Sequence, residues 1–496
     1  MKTGGKSVCF FIPRKKMNKK VIHLKNPVVS CTRSSKRTLK NDRERVIMKI
    51  RKLLAPALGL SLLVPAFGTT VQAEEMKPTV NTPAAQLRAD LDYLLSEHFV
   101  LAVTAMTKSY DGAKDAEAAN KALDQNAADM TPAIASVYGE EGAAEFERIF
   151  REHNNYTADL VNAAKGNDEN ARAEAEKEVA AFVEEFSTFL GTATEGKLPK
   201  EAAEEAVKVH EAQVLEVFDN YVEGDYKEAN ETFREGYKHM YVISDALAGA
   251  ITTQMPEKFE NTKSDTPAAD LRSALNSLAA EHFALAATGM QKGFDQTEDY
   301  DFVSWSEDAN TADFKAAIGS VYGEEGAAQF EKVWQGNHIN AQAEIVAATL
   351  EGDDTKISEA KAKLDQFAMD FGTFLGAATA ENLPAKDAQA AIKQHEALVT
   401  QTFDQYVAGD YDAAYQSFRE GYKFMFGVGQ NLGNAIVTQM PDKFEASAMP
   451  GDMPKTGMGG TSESLPVSAM TFAGLGSLLA LTAVVLFRRK AANQQQ

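Results

Sequence analysis

The sequence predicts an all-α protein: two tandem homologous antiparallel helical bundles of about six helices each, preceded by a signal peptide and followed by an apolar carboxyl-terminal segment. Three observations carry that reading. The nine residues from Ser136 to Ala144 (SVYGEEGAA) return unchanged from Ser320 to Ala328, 184 positions later. Landmarks on either side return with them: Thr82-Pro83 with Thr266-Pro267, Glu97-His98 with Glu281-His282, His210-Glu211 with His395-Glu396, and FREGY at 233–237 with FREGY at 418–422. Between residues 82 and 440 the chain is rich in Ala, Glu, Lys and Leu, and its apolar side chains recur every 3.6 rather than every 2 residues.

Each helix of the first bundle has a local cause. Thr82 is placed as an N-cap with Pro83 at the first helical position, so a helix runs from Pro83 to about Lys108. A weaker one covers about Asp115 to Tyr138. Gly139 then supplies a left-handed stop, and Glu140 and Glu141 open a third helix, favourably near its positive end, that continues to about Lys165. A fourth runs from near Glu169 to Leu190 and ends at Gly191. Leu198-Pro199 starts a fifth that ends at Gly224, and Asp225 caps a sixth from Tyr226 to about Thr253. The second bundle repeats this from Pro267, with matching punctuation at Gly323, Gly376, Pro384, Gly409 and Asp410. Its connection after the first helix, residues 293–308, is aromatic and acidic and departs most from the first copy. Short helix–helix connections favour antiparallel neighbours. A repeat period near 184 excludes a short-repeat solenoid.

The ends read differently from the bundles. Met48-Lys-Ile-Arg-Lys52 is a basic n-region, 53–67 is largely apolar, and Val71-Gln-Ala73 fits the small-residue rule for signal peptidase cleavage between Ala73 and Glu74. The apolar run is too short, and too interrupted by Pro56 and Pro65, to be a good membrane span. Residues 1–47 are a basic extension, with Met1 and Met48 both open as translation starts. The expected organisation is therefore 1–47 extension, 48–73 signal peptide, 74–81 leader, 82–254 first bundle, 255–265 linker, 266–440 second bundle, 441–452 tether, 453–490 terminal signal and 491–496 tail.

That terminal signal is Met453-Pro454-Lys455-Thr456-Gly457, a polar spacer, an uncharged run over 465–487 and Arg488-Arg489-Lys490. The run is long enough to cross a bilayer and the cations hold its end on the cytoplasmic side. This order resembles the cell-wall sorting signal of Gram-positive surface proteins (Leu-Pro-x-Thr-Gly, apolar helix, basic tail), with Met453 in place of the leucine. The resemblance implies that a sortase cuts between Thr456 and Gly457 and joins Thr456 to peptidoglycan. It also implies a protein that meets the membrane only as a precursor and resides at the cell wall. The bundles look similar to tandem helical domains of secreted Gram-positive proteins that have no settled activity. About 16 residues separate the last helix from Thr456, a reach of roughly 50 Å at most, so the bundles should sit close to their attachment point.

Composition narrows the function. The chain carries −20, but 1–52 (+15) and 457–496 (+2) are basic, leaving −37 on residues 53–456. Such a surface repels phosphate backbones, so nucleic acid is excluded as a partner. Cys9 and Cys31 both precede the signal peptide, so the mature part has neither disulfides nor a thiolate site. No Gly-x-Ser-x-Gly elbow, phosphate loop or dinucleotide turn is present. The Glu-x-x-His spacing of di-iron bundles is missing. An amine-oxidase cofactor site would need Thr-x-x-Asn-Tyr-Asp/Glu, whereas Asn220-Tyr221 is followed by Val222 and Asn155-Tyr156 by Thr157.

Six histidines remain as candidates, in three matched pairs: His98/His282, His153/His338 and His210/His395. Each lies on the apolar stripe of its helix, so three helices per bundle turn an imidazole toward one core. Met106 and Met290 lie two turns beyond the first histidine of each set. One reading is buried structural histidines paired with Glu97, Glu211 or tyrosine hydroxyls. The other is a metal (copper first, zinc second) or a haem held between facing helices. Gly236 and Gly421, inside the FREGY repeats, imply close helix contact. Arg234/Arg419 and Lys108/Lys292 are expected in salt links. The expected function is binding or structural, without catalysis; metal or haem binding is the first alternative and a bundle enzyme the second.

Overall fold

Thr82 caps its helix as its position predicts: its hydroxyl accepts the Ala85 N–H at 3.1 Å, and Thr266 does the same for Ala269 at 3.2 Å. In the computed structural model, which describes residues 77–445, every regular element is a helix and no strand occurs among the described residues. The first half comprises α1 (Pro83–Asp111), α2 (Ala116–Gly166), α3 (Glu169–Ala193), α4 (Lys200–Glu223) and α5 (Tyr226–Gln254). A 3-10 turn, Pro256–Phe259, leads to the second half: α6 (Pro267–Asp295), α7 (Tyr300–Asn337), α8 (Ile339–Glu351), α9 (Asp354–Ala378), α10 (Ala385–Ala408) and α11 (Tyr411–Gln439). No helix among the described residues is long and apolar enough to cross a membrane. The signal peptide, the Met453–Gly457 motif and the 465–487 run lie outside the described residues.

Three local expectations are corrected. Gly139 separates two helical segments as expected, but not in the left-handed helical conformation. Its backbone (φ 76°, ψ 177°) is extended at positive φ, a region open essentially to glycine alone, so α2 kinks there and continues. The expected second and third helices thus meet at this corner within α2, and Gly323 makes the same corner in α7 (φ 75°, ψ −179°). The second half breaks once more, at His338, which lies 185 positions after His153 where earlier landmarks are 184 apart. Gly191 and Gly376 are not stops either. Both lie inside helices, where a Cβ on Gly376 would meet the Ala385 backbone at 2.8 Å and one on Gly191 the Lys200 backbone at 3.3 Å. They let the start of the next helix approach. Asp225 makes no capping hydrogen bond, whereas Asp410 accepts from the Ala413 N–H at 3.4 Å.

Gly236 and Gly421 answer to packing. A Cβ at Gly236 would collide with the Phe99 ring, and one at Gly421 with the Phe283 ring, both rings being fully buried. Glycine to alanine normally favours a helix by about 1 kcal/mol. Here Gly421→Ala is expected to destabilise by about 1–3 kcal/mol instead, read as a lower thermal midpoint, because the ring has no room to move.

The halves fasten to each other through reciprocal ion pairs, the salt links expected of Arg234 and Arg419. Arg234 of α5 reaches Glu281 (2.8 Å) and Asp313 (2.9 Å) in the second half. Arg419 of α11 reaches Glu97 (2.8 Å) and Asp129 (2.9 Å) in the first. Both glutamates are buried. Between them, Tyr422 donates to Ser96 Oγ at 2.7 Å and Tyr237 to the Ser277 carbonyl at 3.0 Å. Lys108 pairs with Asp115 at 3.0 Å and donates to Tyr406 Oη at 3.1 Å.

Candidate metal centre

α1, α2 and α4 each contribute one histidine to the core of the first half, and the apolar stripes that carry His98, His153 and His210 bring the three rings together. Their ring centroids stand 5.3, 5.8 and 6.3 Å apart. His282 of α6, His338 at the α7–α8 break and His395 of α10 form a second triad, with centroids 4.9, 5.4 and 5.8 Å apart. In each triad one ring nitrogen per histidine lies within 4.8 Å of the other two, and all six side chains are buried. A tetrahedral ion with metal–nitrogen distances of about 2.0–2.1 Å wants its ligands roughly 3.3 Å apart, so the rings would have to move inward to hold one.

The rings are held from behind. His153 stacks on Phe182 at 4.3 Å and His338 on Phe367 at 4.2 Å, nearly coplanar in the second case (4°). Phe99 packs beside His210 at 6.0 Å and Phe283 beside His395 at 5.9 Å. The glycines that admit those phenylalanines therefore help to position the triads. Glu211 places a carboxylate oxygen 3.0 Å from His153 Nε2, and Glu396 one 3.0 Å from His338 Nε2, so one ring of each triad has the carboxylate partner that the structural reading expected. Gln342 approaches His338 Nε2 at 3.4 Å.

Burial drives the His98 and His282 imidazoles well below their ordinary pKa, and the neighbouring histidines add to the effect. His210 and His395 are pulled down to about 4 by burial, against the attraction of Glu211 and Glu396. Burial opposes ionisation of Glu211 and Glu396, but the adjacent His153 and His338 outweigh it and hold both carboxyls below the usual range. The lowered pKa of His98, His210, His282 and His395 favours the neutral imidazole, the form that binds a borderline cation.

Both ring nitrogens of His98, His282 and His395 lack a hydrogen-bond partner, as does Nδ1 of His153, His210 and His338. Glu97, an expected structural partner, is taken by Arg419 and Asn126 (2.8 Å each). Met106 and Met290 are buried, but they stand eight residues beyond His98 and His282, about 12 Å along the helix, and line neither triad. His239 is separate, 2.9 Å from the Ala206 carbonyl. Haem does not fit: the open volume beside the second triad is about 100 Å³ and beside the first about 10 Å³, against the several hundred that a cofactor of that size fills.

Comparison with protein-family models, curated proteins and solved structures returned no match.

Proposed function

We propose that the chain is an exported, wall-anchored protein built from two copies of one helical module, each binding a single zinc(II) ion through its histidine triad. The observation that supports it is the concentration of ring nitrogens without a hydrogen-bond partner in two buried clusters, both nitrogens of His98, His282 and His395 among them. A buried polar group left without a partner costs about 1–3 kcal/mol, and histidines kept only for packing would be expected to have partners. The donor set selects the metal class. Three imidazoles and a nearby carboxylate suit zinc(II) or copper(II). Without the methionine sulfurs, little favours copper(I), so zinc takes precedence over the copper first suggested by sequence. His98, His153 and His210 would hold one ion and His282, His338 and His395 the other, with Glu211 and Glu396 offsetting the charge. The role is binding rather than catalysis, and anchoring through Thr456 rests on the sequence of the sorting signal.

Titration of the purified full chain against a chromophoric chelator is expected to show two zinc ions per chain. His98→Ala should retain one site, and His98→Ala with His282→Ala neither, each affinity falling about 100-fold or more with the loss of one of three ligands. Unchanged zinc uptake by the double variant, whatever its melting temperature, would refute the assignment. Copper(II) run in parallel tests the choice of metal.

A further inference from the structure

The two triads share donors but not surroundings. A cavity of about 100 Å³ lies against the second one, with His282, His338 and His395 in its wall and Phe314, Trp334 and Phe371 among its apolar lining. It reaches the surface beside the exposed Asp387 and Asn431. The space found at the first triad lies on its other side, beside Ala102, Leu160 and Val214, and is about 10 Å³, room for little more than one water-sized particle.

The difference has a residue behind it. Ala279 lines the cavity three positions before His282, on the same helix face, and the matching position before His98 is Leu95, which is buried. Val428 and Gly429 line the cavity where the first half carries Ile243 and Ser244. The second half is not loosened generally, because Phe314 and Trp334 are larger than their counterparts Met130 and Phe150. The contrast is thus local: Ala279 is smaller than Leu95, while Trp334, which packs on His282 and His338 at 4.8 and 4.9 Å, is larger than its counterpart.

From this we infer that the second triad alone is a ligand site: the cavity takes one small, uncharged, apolar molecule about the size of an aromatic ring, and a donor atom on that molecule reaches the metal at His282, His338 and His395. An apolar cavity of about 150 Å³ accepts benzene-sized guests, and the mostly apolar lining here suits a guest of that kind. Only the donor contact rests on the zinc reading; the cavity does not. The first triad, with the larger Leu95 where the second has Ala279, is left as a site for the ion alone.

Benzene and pyridine separate the two parts, since they share a shape and only pyridine carries a donor. Calorimetric titration of the full chain should find one site per chain for each probe. Zinc loading should leave benzene unchanged and tighten pyridine by about tenfold or more. Ala279→Leu should abolish binding of both probes with two zinc ions still bound, and Leu95→Ala should add a second probe site. No probe binding, or full binding in Ala279→Leu together with no new site in Leu95→Ala, would overturn the cavity assignment. Equal pyridine affinity with and without bound zinc would overturn the donor contact. If zinc itself fails to bind at the triads, benzene should still bind once per chain, so failure of the metal reading and failure of the cavity are distinguishable.

Discussion

Arg419→Ala is expected to lower the unfolding free energy by about 3–5 kcal/mol, because it strands a buried carboxylate. Glu97 is fully buried, and removing the guanidinium leaves it only neutral partners, the Asn126 amide at 2.8 Å and the Tyr93 hydroxyl at 3.3 Å. Burial already pushes the Glu97 carboxyl upward in pKa against the pull of Arg419, so without the arginine it would protonate at still higher pH. The effect should appear as a lower urea midpoint with an unchanged slope. Adding Glu97→Gln to Arg419→Ala should return more than half of the loss, since the neutral amide no longer needs a cation. A loss below about 1 kcal/mol for Arg419→Ala would mean that the pair behaves as an exposed one. Arg234→Ala, facing buried Glu281 and Asn310, should behave alike.

The sequence made part of this visible. The helical class, the Thr82 cap and the inward face of each histidine helix follow from spacing and local chemistry, which periodicity reports well. Periodicity says which face of a helix turns inward but not which segment meets it. Arg234 and Arg419 were therefore legible as salt-link residues, while their partners across the two halves were not. Glu211 was legible as a neighbour of the histidines because it adjoins His210, yet it lies closer to His153, which only the packing of α2 on α4 could show. Ala279 went unnoticed for a different reason. An alanine on an apolar stripe reads as ordinary core, and its contrast with Leu95 acquires meaning only once the histidines are seen to share its wall. Gly139 was legible as a corner between helical segments, but its ψ angle was not.

Acid is the second strong lever. In the metal-free protein His210 and His395 fall from an ordinary 6.5 to about 4 because burial disfavours the cation. Each folded-state pKa lies below the unfolded one, so their contribution is fully present above pH 6.5 and is lost as pH falls toward 4. The expected loss is on the order of 3 kcal/mol for each residue. His98 and His282 shift in the same direction. Glu211 and Glu396, the carboxylates facing these rings, also lose stability on protonation, at lower pH. Asp92, raised by burial to about 6, and Glu307, raised by burial to about 8 despite its partial exposure, work the other way and favour the fold as they protonate. Comparing wild type with His210→Gln/His395→Gln cancels those shared contributions. Denaturant midpoints followed from pH 7 to 4 should fall more steeply in the wild type, and parallel curves would count against the burial assigned to the rings. Zinc should delay the fall, since protons and metal compete for the same nitrogens.

The reciprocal pairs also constrain how the chain can change over generations. Arg419 serves a glutamate more than three hundred positions earlier, and Arg234 serves one in the opposite half. A lineage cannot let either half drift at these positions without injuring the other, so the two must be inherited as a matched set. Freedom to diverge is left to stretches that fasten to nothing across the seam.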